Sequence, residues 1–154
     1  MTNEQHIRIQ DTTENIAQLQ RSILFSFLMY NIQSTYGTPA EPESLSAFVA
    51  ALPADDVEKV IPSDVVKLHL GFLGDVPDAS TDQSESEINQ RTAGIIAIGV
   101  IVDSLRDNGS ERLVQAGLWE SYVGENGQPN YRLTMKLLRA AGKLPPPPPD
   151  ATPS

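Results

Sequence analysis

The chain has 154 residues, 40% hydrophobic and 20% charged, with no cysteine and a net charge of −9. That length and composition suit a single domain with a complete core, neither disordered nor fibrous. The absent cysteines exclude disulfides, thiolate zinc sites and a cysteine nucleophile, and the negative overall field opposes nucleic acid.

Residues 1–10 are polar and carry no apolar signal segment, which predicts a flexible N-terminus and a cytoplasmic protein. The longest apolar runs, 23–32 and 93–102, are about half of the ~20 residues that span a bilayer, so both predict buried helices and no membrane span. A first helix is expected from Asp11, which has capping-box spacing to Glu14, through Ile16, Leu19, Ile23, Phe27 and Tyr30 to a stop at Gly37 and Pro39. The 23–32 run is apolar on nearly every side, the pattern of a helix that is central or shared with a second chain.

Short helices follow. Pro42 suits a first turn, Leu45, Phe48, Val49 and Leu52 make one apolar face, and Pro53 stops the segment. Residues 54–61 form a brief acidic helix closed by Pro62. Ser63 and Asp64 offer a cap for 65–73, which Gly74 ends. Residues 75–85 lack an apolar period and read as a surface loop. Ser84 and Glu87 repeat the capping-box spacing and open a helix to about Arg106, in which Gly94 and Gly99 allow close backbone packing. The β-branched content of 95–102 leaves a buried strand as the alternative. Asn108 and Gly109 stop that helix, and Ser110 caps another through about Ala116. Residues 118–123 and 130–133 flank Asn126-Gly127, a hairpin signal. A last helix over 134–141 ends at Gly142, and a proline-rich tail occupies 143–154.

No assembled catalytic, metal or phosphate motif emerges. His6 lies in the N-terminal segment. His69 lies among Val65, Leu68 and Phe72, and spacing suggests neither a nucleophile nor a carboxylate to orient it, so it reads as a partly buried or surface histidine. Asp75, Asp78, Asp82, Glu85 and Glu87 lack the glycine and the spacing of a calcium loop and read as a solvated loop. Residues 107–111 read as a helix stop and cap. Gly94 and Gly99 are followed by no Lys-Ser or Lys-Thr, which excludes the P-loop.

The charges that stand out are Arg132, Lys136, Arg139 and Lys143. Their steps of four, three and four predict one helical stripe, with Leu133, Leu137, Leu138 and Ala141 facing the core. The stripe reads as a solvated face or as a basic strip docking an acidic partner. Pro145, Pro146, Pro147, Pro148 and Pro149 follow Lys143-Leu144 in a pattern that SH3-type grooves read, and equally suit a stiff spacer or a strap along a neighbour.

Leu113-Val114-Gln115-Ala116-Gly117-Leu118-Trp119, then the hairpin, then Tyr131-Arg132-Leu133-Thr134, resembles the wing of winged-helix proteins. The resemblance covers about 20 residues. It implies that 110–116 ends a recognition helix, which holds Arg112 beside Glu111 as its only base.

The expected fold is mainly α: a single-domain bundle of six or seven helices at 11–142, one short hairpin at about 118–133, and a disordered proline-rich tail. Ile23, Phe27, Phe48, Phe72, Ile95, Ile98, Ile101, Leu113, Trp119 and Leu137 are the expected core. The expected function is a non-enzymatic structural or scaffolding protein, with no cofactor or metal, that assembles with itself or serves as a small subunit. The alternative is a winged-helix-like regulator binding DNA or a protein. Acids at 41–64 and 75–87, against the acid-free 132–143, predict a heterologous contact oriented by charge.

Overall fold

The longest helix, α1 (Thr13–Tyr36), takes its position from one stripe: Ile16, Leu19, Ile23, Leu24, Leu28 and Ile32 are all buried. These residues recur at three- and four-residue steps, so one face of α1 is dry while Tyr30 projects into solvent. The computed structural model describes residues 6–7, 13–73, 76–77 and 85–143, with side chains over 14–72 and 92–143. The proposed caps Asp11 and Ser84, the stop at Gly74 and the tail beyond Lys143 lie outside the described residues.

Three short helices wrap α1. They are α2 (Pro42–Ala51), with proline in its first turn, α3 (Ala54–Val60) and α4 (Ser63–Leu73). Leu45, Val49, Val57, Val60, Ile61 and Val66 turn inward. Gln20 of α1 fastens the α3–α4 junction. Its amide donates to the Ile61 carbonyl (2.8 Å) and to Glu58 Oε2 (3.1 Å), and Glu58 in turn accepts from the Ser63 N–H and hydroxyl, each at 2.6 Å. Ser63 thus opens α4, but it is held by the carboxylate of the preceding helix.

The second long helix, α5 (Glu85–Leu105), packs on α1 and α4. It is helical throughout 95–102, so the strand alternative does not hold. After it, Asn108 adopts the left-handed conformation (φ 59°) and takes the N-cap position, so α6 (Gly109–Gln115) begins two residues earlier than a Ser110 cap requires. Next come strands β3 (Trp119–Val123) and β4 (Pro129–Leu133), paired antiparallel with Trp119 opposite Leu133 and Tyr122 opposite Asn130. The turn between them is closed by Gly124 N–H donating to Gln128 O (2.9 Å). The final helix, α7 (Met135–Ala140), buries Leu137 and Leu138 against the rest. A backbone bond from Glu41 N–H to Ala141 O (2.9 Å) joins the start of α2 to the end of α7.

The expected architecture is therefore present: seven helices and one hairpin among the described residues. The first two strands of the chain, β1 (His6–Ile7) and β2 (Val76–Pro77), form a second antiparallel pairing in segments that read as a flexible terminus and a loop. No helix among the described residues is long and apolar enough to cross a membrane.

The core needs correction on one side. Ile23, Leu113 and Leu137 are fully or nearly fully buried, and Phe27, Phe48, Ile101 and Trp119 pack partly buried against the core. Phe72, Ile95 and Ile98 do not belong to it: Phe72 is 75% exposed, Ile98 is 78% exposed, and Ile95 faces out beside them. The buried stripe of α5 is Thr92, Ala93, Ile96, Ala97, Val100 and Ser104. Its alanines are short, so α5 and α1 can approach closely while the leucines and isoleucines of α1 fill the gap. The apolar run 93–102 is so dense that it hides this phase. Neither long helix is buried all round.

Only one of the two α5 glycines matches its expected role. A Cβ on Gly99 would lie 2.6 Å from His69 Cε1, whereas one on Gly94 would meet nothing within 4 Å. Gly99→Ala is expected to lower the unfolding free energy by about 1–2 kcal/mol, because His69 must move. Gly94→Ala should raise it by up to ~1 kcal/mol, the helix-propensity gain alone. Urea denaturation of the two variants should therefore shift in opposite directions.

Candidate functional site

The α4–α5 seam is the most structured polar feature among the described residues. His69 sits one helical turn before Phe72, whose ring it meets edge-on at 5.8 Å. Its Nε2–H donates to Asp103 Oδ2 at 2.6 Å, and Arg106 Nη2 donates to Asp103 Oδ1 at 2.8 Å. The remaining ring edge, Cε1 and Nδ1, rests on Gly99. A carboxylate does orient this histidine, contrary to the expectation from spacing. Asp103 lies 34 residues away on another helix. The one sequence signal was indirect: Gly99 and Asp103 are four apart on α5, so they share a face. Chemically, Nε2 is engaged by Asp103 and the Cε1–Nδ1 edge lies over Gly99, so the pair acts as a clasp between the two helices.

Exposed apolar side chains flank that clasp. Leu68 and Phe72 lie on the α4 side. Ile95, Ile98 and Val102 lie on the α5 side at steps of three and four, and all five are more than half exposed. Their helical phases adjoin His69 and Gly99, so the five form one apolar face across the two helices. This face was legible as apolar sequence, but three of its five members, Phe72, Ile95 and Ile98, are among the residues expected in the core.

The basic stripe does not form as expected. Helix α7 contains only Lys136 and Arg139. Arg132 lies on β4, where its Nε donates to Glu120 Oε1 (2.6 Å) and its guanidinium stacks over Tyr122 (4.8 Å). Lys143 lies beyond Gly142, a left-handed residue (φ 75°) that reverses the chain, and its Nζ donates to Thr38 Oγ1. Helical spacing cannot carry a stripe through a strand and past such a stop. The four cations are therefore divided among a strand, a helix and the segment after it, and Lys136 and Arg139 are the exposed cations of α7. Leu133, Leu137, Leu138 and Ala141 are buried as expected. Pro145 to Pro149 lie outside the described residues.

The winged-helix resemblance has a structural counterpart, since α6 leads directly into the β3–β4 hairpin. Its one base, however, is engaged: Arg112 donates to the Ser104 carbonyl and to the Asp107 carbonyl (2.7 Å), closing the C-terminal end of α5. A guanidinium used this way is not turned toward a phosphate.

Two clefts open among the described residues. One of about 400 Å³ lies between α1, α2 and α5 near Ser22, Phe25, Ser46 and Gly94, with Arg21 at its edge. That arginine caps α2, donating to Val49 O at 2.6 Å. The second, about 310 Å³, is lined by Asn31, Tyr36, Trp119, Tyr131, Arg132 and Leu138 among others. No three acidic, histidine or cysteine side chains among the described residues come together to hold a metal. The acids of 75–87 belong to the part whose side chains are not described.

Compared with known family models, curated proteins and solved structures, the chain matches none.

Proposed function

We propose that this chain is a non-enzymatic structural or scaffolding protein, one that assembles with copies of itself or serves as a small subunit of a larger complex. The observation that carries the reading is the apolar face formed by Leu68, Phe72, Ile95, Ile98 and Val102. Five large apolar side chains more than half in water, contiguous across two helices, form a patch of the kind that marks protein contact. A second copy is the occupant best matched to it. The centre is uncharged and the rim carries both signs, Asp64 and Lys67 on α4 and Arg106 on α5, so the face can meet its own copy without like charges opposed. His69, engaged by Asp103 as a clasp between helices, supports a role outside catalysis.

Buried apolar area supplies the affinity here, and rim charges such as Asp64 and Lys67 set orientation, since exposed ion pairs contribute only about 0–1 kcal/mol each. Ile98→Asp is the test. It places a carboxylate at the centre of the face, and it is expected to weaken self-association at least ~10-fold by light scattering, the effect of about 1.4 kcal/mol. Thermal unfolding of the dilute protein should stay within ~0.5 kcal/mol of wild type, because position 98 is exposed in the monomer. A wild-type chain that stays monomeric at high concentration overturns the reading. The winged-helix alternative is checked by salt-dependent binding to duplex DNA.

A further inference from the structure

The 310 Å³ groove has an unusual composition for an acidic, aromatic-poor chain. Three aromatic rings converge in it: Tyr36 from the end of α1, Trp119 from β3 and Tyr131 from β4. Trp119 and Tyr131 are 6.0 Å apart between ring centroids and tilted by 39°, giving two walls that diverge like an open book. The Trp119 ring is locked in place, because its Nε1–H donates to Asn31 Oδ1 at 2.9 Å. Tyr36 and Tyr131 are both exposed, so the groove is open to solvent.

A fixed, aromatic-lined groove suits one chemistry in particular. A polyproline segment is already extended before it binds, so little conformational entropy is lost. Its rings lie flat on aromatic faces. Its carbonyls have no neighbouring N–H competing for them, and they can accept from tyrosine hydroxyls and an arginine such as Arg132.

The chain carries such a segment just after a residue anchored at this groove. Lys143, the last described residue, is tied to two of the groove's walls. Its N–H donates to the carbonyl of Leu138, which lines the groove (2.9 Å), and its Nζ donates to Thr38, two residues past Tyr36. One residue later begins Pro145-Pro146-Pro147-Pro148-Pro149. As a polyproline helix of ~3.1 Å per residue, five prolines would extend ~15 Å from that anchor.

We infer that the Pro145–Pro149 run seats in the Tyr36–Trp119–Tyr131 groove of its own chain, strapping the hairpin to the end of α1. The inference stands apart from self-assembly through the α4–α5 face. It concerns a different surface, and it is tested at a dilution where light scattering reports a monomer.

Trp119 is the only tryptophan of the chain, so its fluorescence reads the groove directly. The experiment compares wild type with a full-length variant in which Pro145, Pro146, Pro147, Pro148 and Pro149 are all serine. Acrylamide quenching of Trp119 is expected to rise about twofold in the variant, with a red-shifted emission, as the ring loses its cover. A synthetic peptide with the sequence of residues 143–150 should restore protection of the variant saturably, with little dependence on salt. It should fail to do so when Tyr131→Ala is added, with circular dichroism confirming that this variant is folded. Should Tyr131→Ala prove unfolded, Tyr36→Ala on exposed α1 takes its place. Quenching identical in wild type and the serine variant overturns the inference. So does protection of wild type that falls with dilution below the monomer range, which would place the run in a second copy.

Discussion

Leu28→Ala should lower the unfolding free energy by about 2–5 kcal/mol, the range for a large side chain removed from a packed core. Leu28 is fully buried at the middle of the dry stripe of α1, and α1 is packed by α2, α3, α4 and α5. With helices on several sides the site cannot collapse onto the space left behind, which favours the upper part of that range. Domains of this kind hold only about 5–15 kcal/mol in total, so the variant would lose a large share. Urea denaturation checks it: the midpoint should fall with an unchanged slope. Tyr30→Ala, two residues further along but on the wet face, should shift the midpoint by no more than ~0.5 kcal/mol. Equal losses at both positions would mean that α1 is covered on its outer side as well.

Gln20→Ala is expected to cost about 2–4 kcal/mol, although it removes no apolar surface of note. The Gln20 amide is buried, and its hydrogens serve both the Ile61 carbonyl and Glu58. Without it a buried carbonyl loses its donor, at about 1–3 kcal/mol. Glu58 also loses a contact that helps aim it at Ser63. The same change should loosen the α3–α4 junction locally, seen as faster amide exchange at the start of α4, including the Ser63 N–H. Gln20→Leu separates the causes. It refills the volume but leaves the carbonyl unpaired, so a Leu variant nearly as weak as the Ala variant identifies the hydrogen bonds as the source. A Leu variant as stable as wild type would show that the amide serves only as filler.

Much of the architecture was legible because this chain punctuates its elements chemically. Pro42, Pro53, Pro62 and Gly37 bound the first helices close to where spacing placed them, and Asn126-Gly127 marked the hairpin. What failed was the facing of α5. In a run such as Ile95-Ile96-Ala97-Ile98, hydrophobicity does not distinguish inside from outside, and the inward side is the one with the smaller residues, chosen by the neighbouring leucines of α1. That ambiguity placed Ile95 and Ile98 in the expected core. The His69–Asp103 pair was out of reach for another reason, since partners on two helices are joined only by tertiary packing. The basic stripe failed because helical spacing was extended across Thr134 and Gly142, where the chain is no longer helical.

The bond between Glu41 N–H and Ala141 O has a consequence for how the molecule is made. Residues 41 and 141 are joined across most of the chain, and Trp119 reaches back 88 positions to Asn31. A chain emerging from the ribosome N-terminus first can form α1 and the helices around it early, because α1 to α5 all precede the hairpin in the chain. The first turn of α2 and the end of α1, however, wait for the hairpin and α7, which are synthesised later. Until then the Asn31 side chain and the Glu41 N–H have only water as partner. Vectorial synthesis therefore divides folding into an early helical half and a late closure, and the interval between them is set by translation speed, about 5–20 residues per second. A pause in that interval would prolong the exposure of an aromatic-poor but leucine-rich surface to whatever chaperones attend the nascent chain.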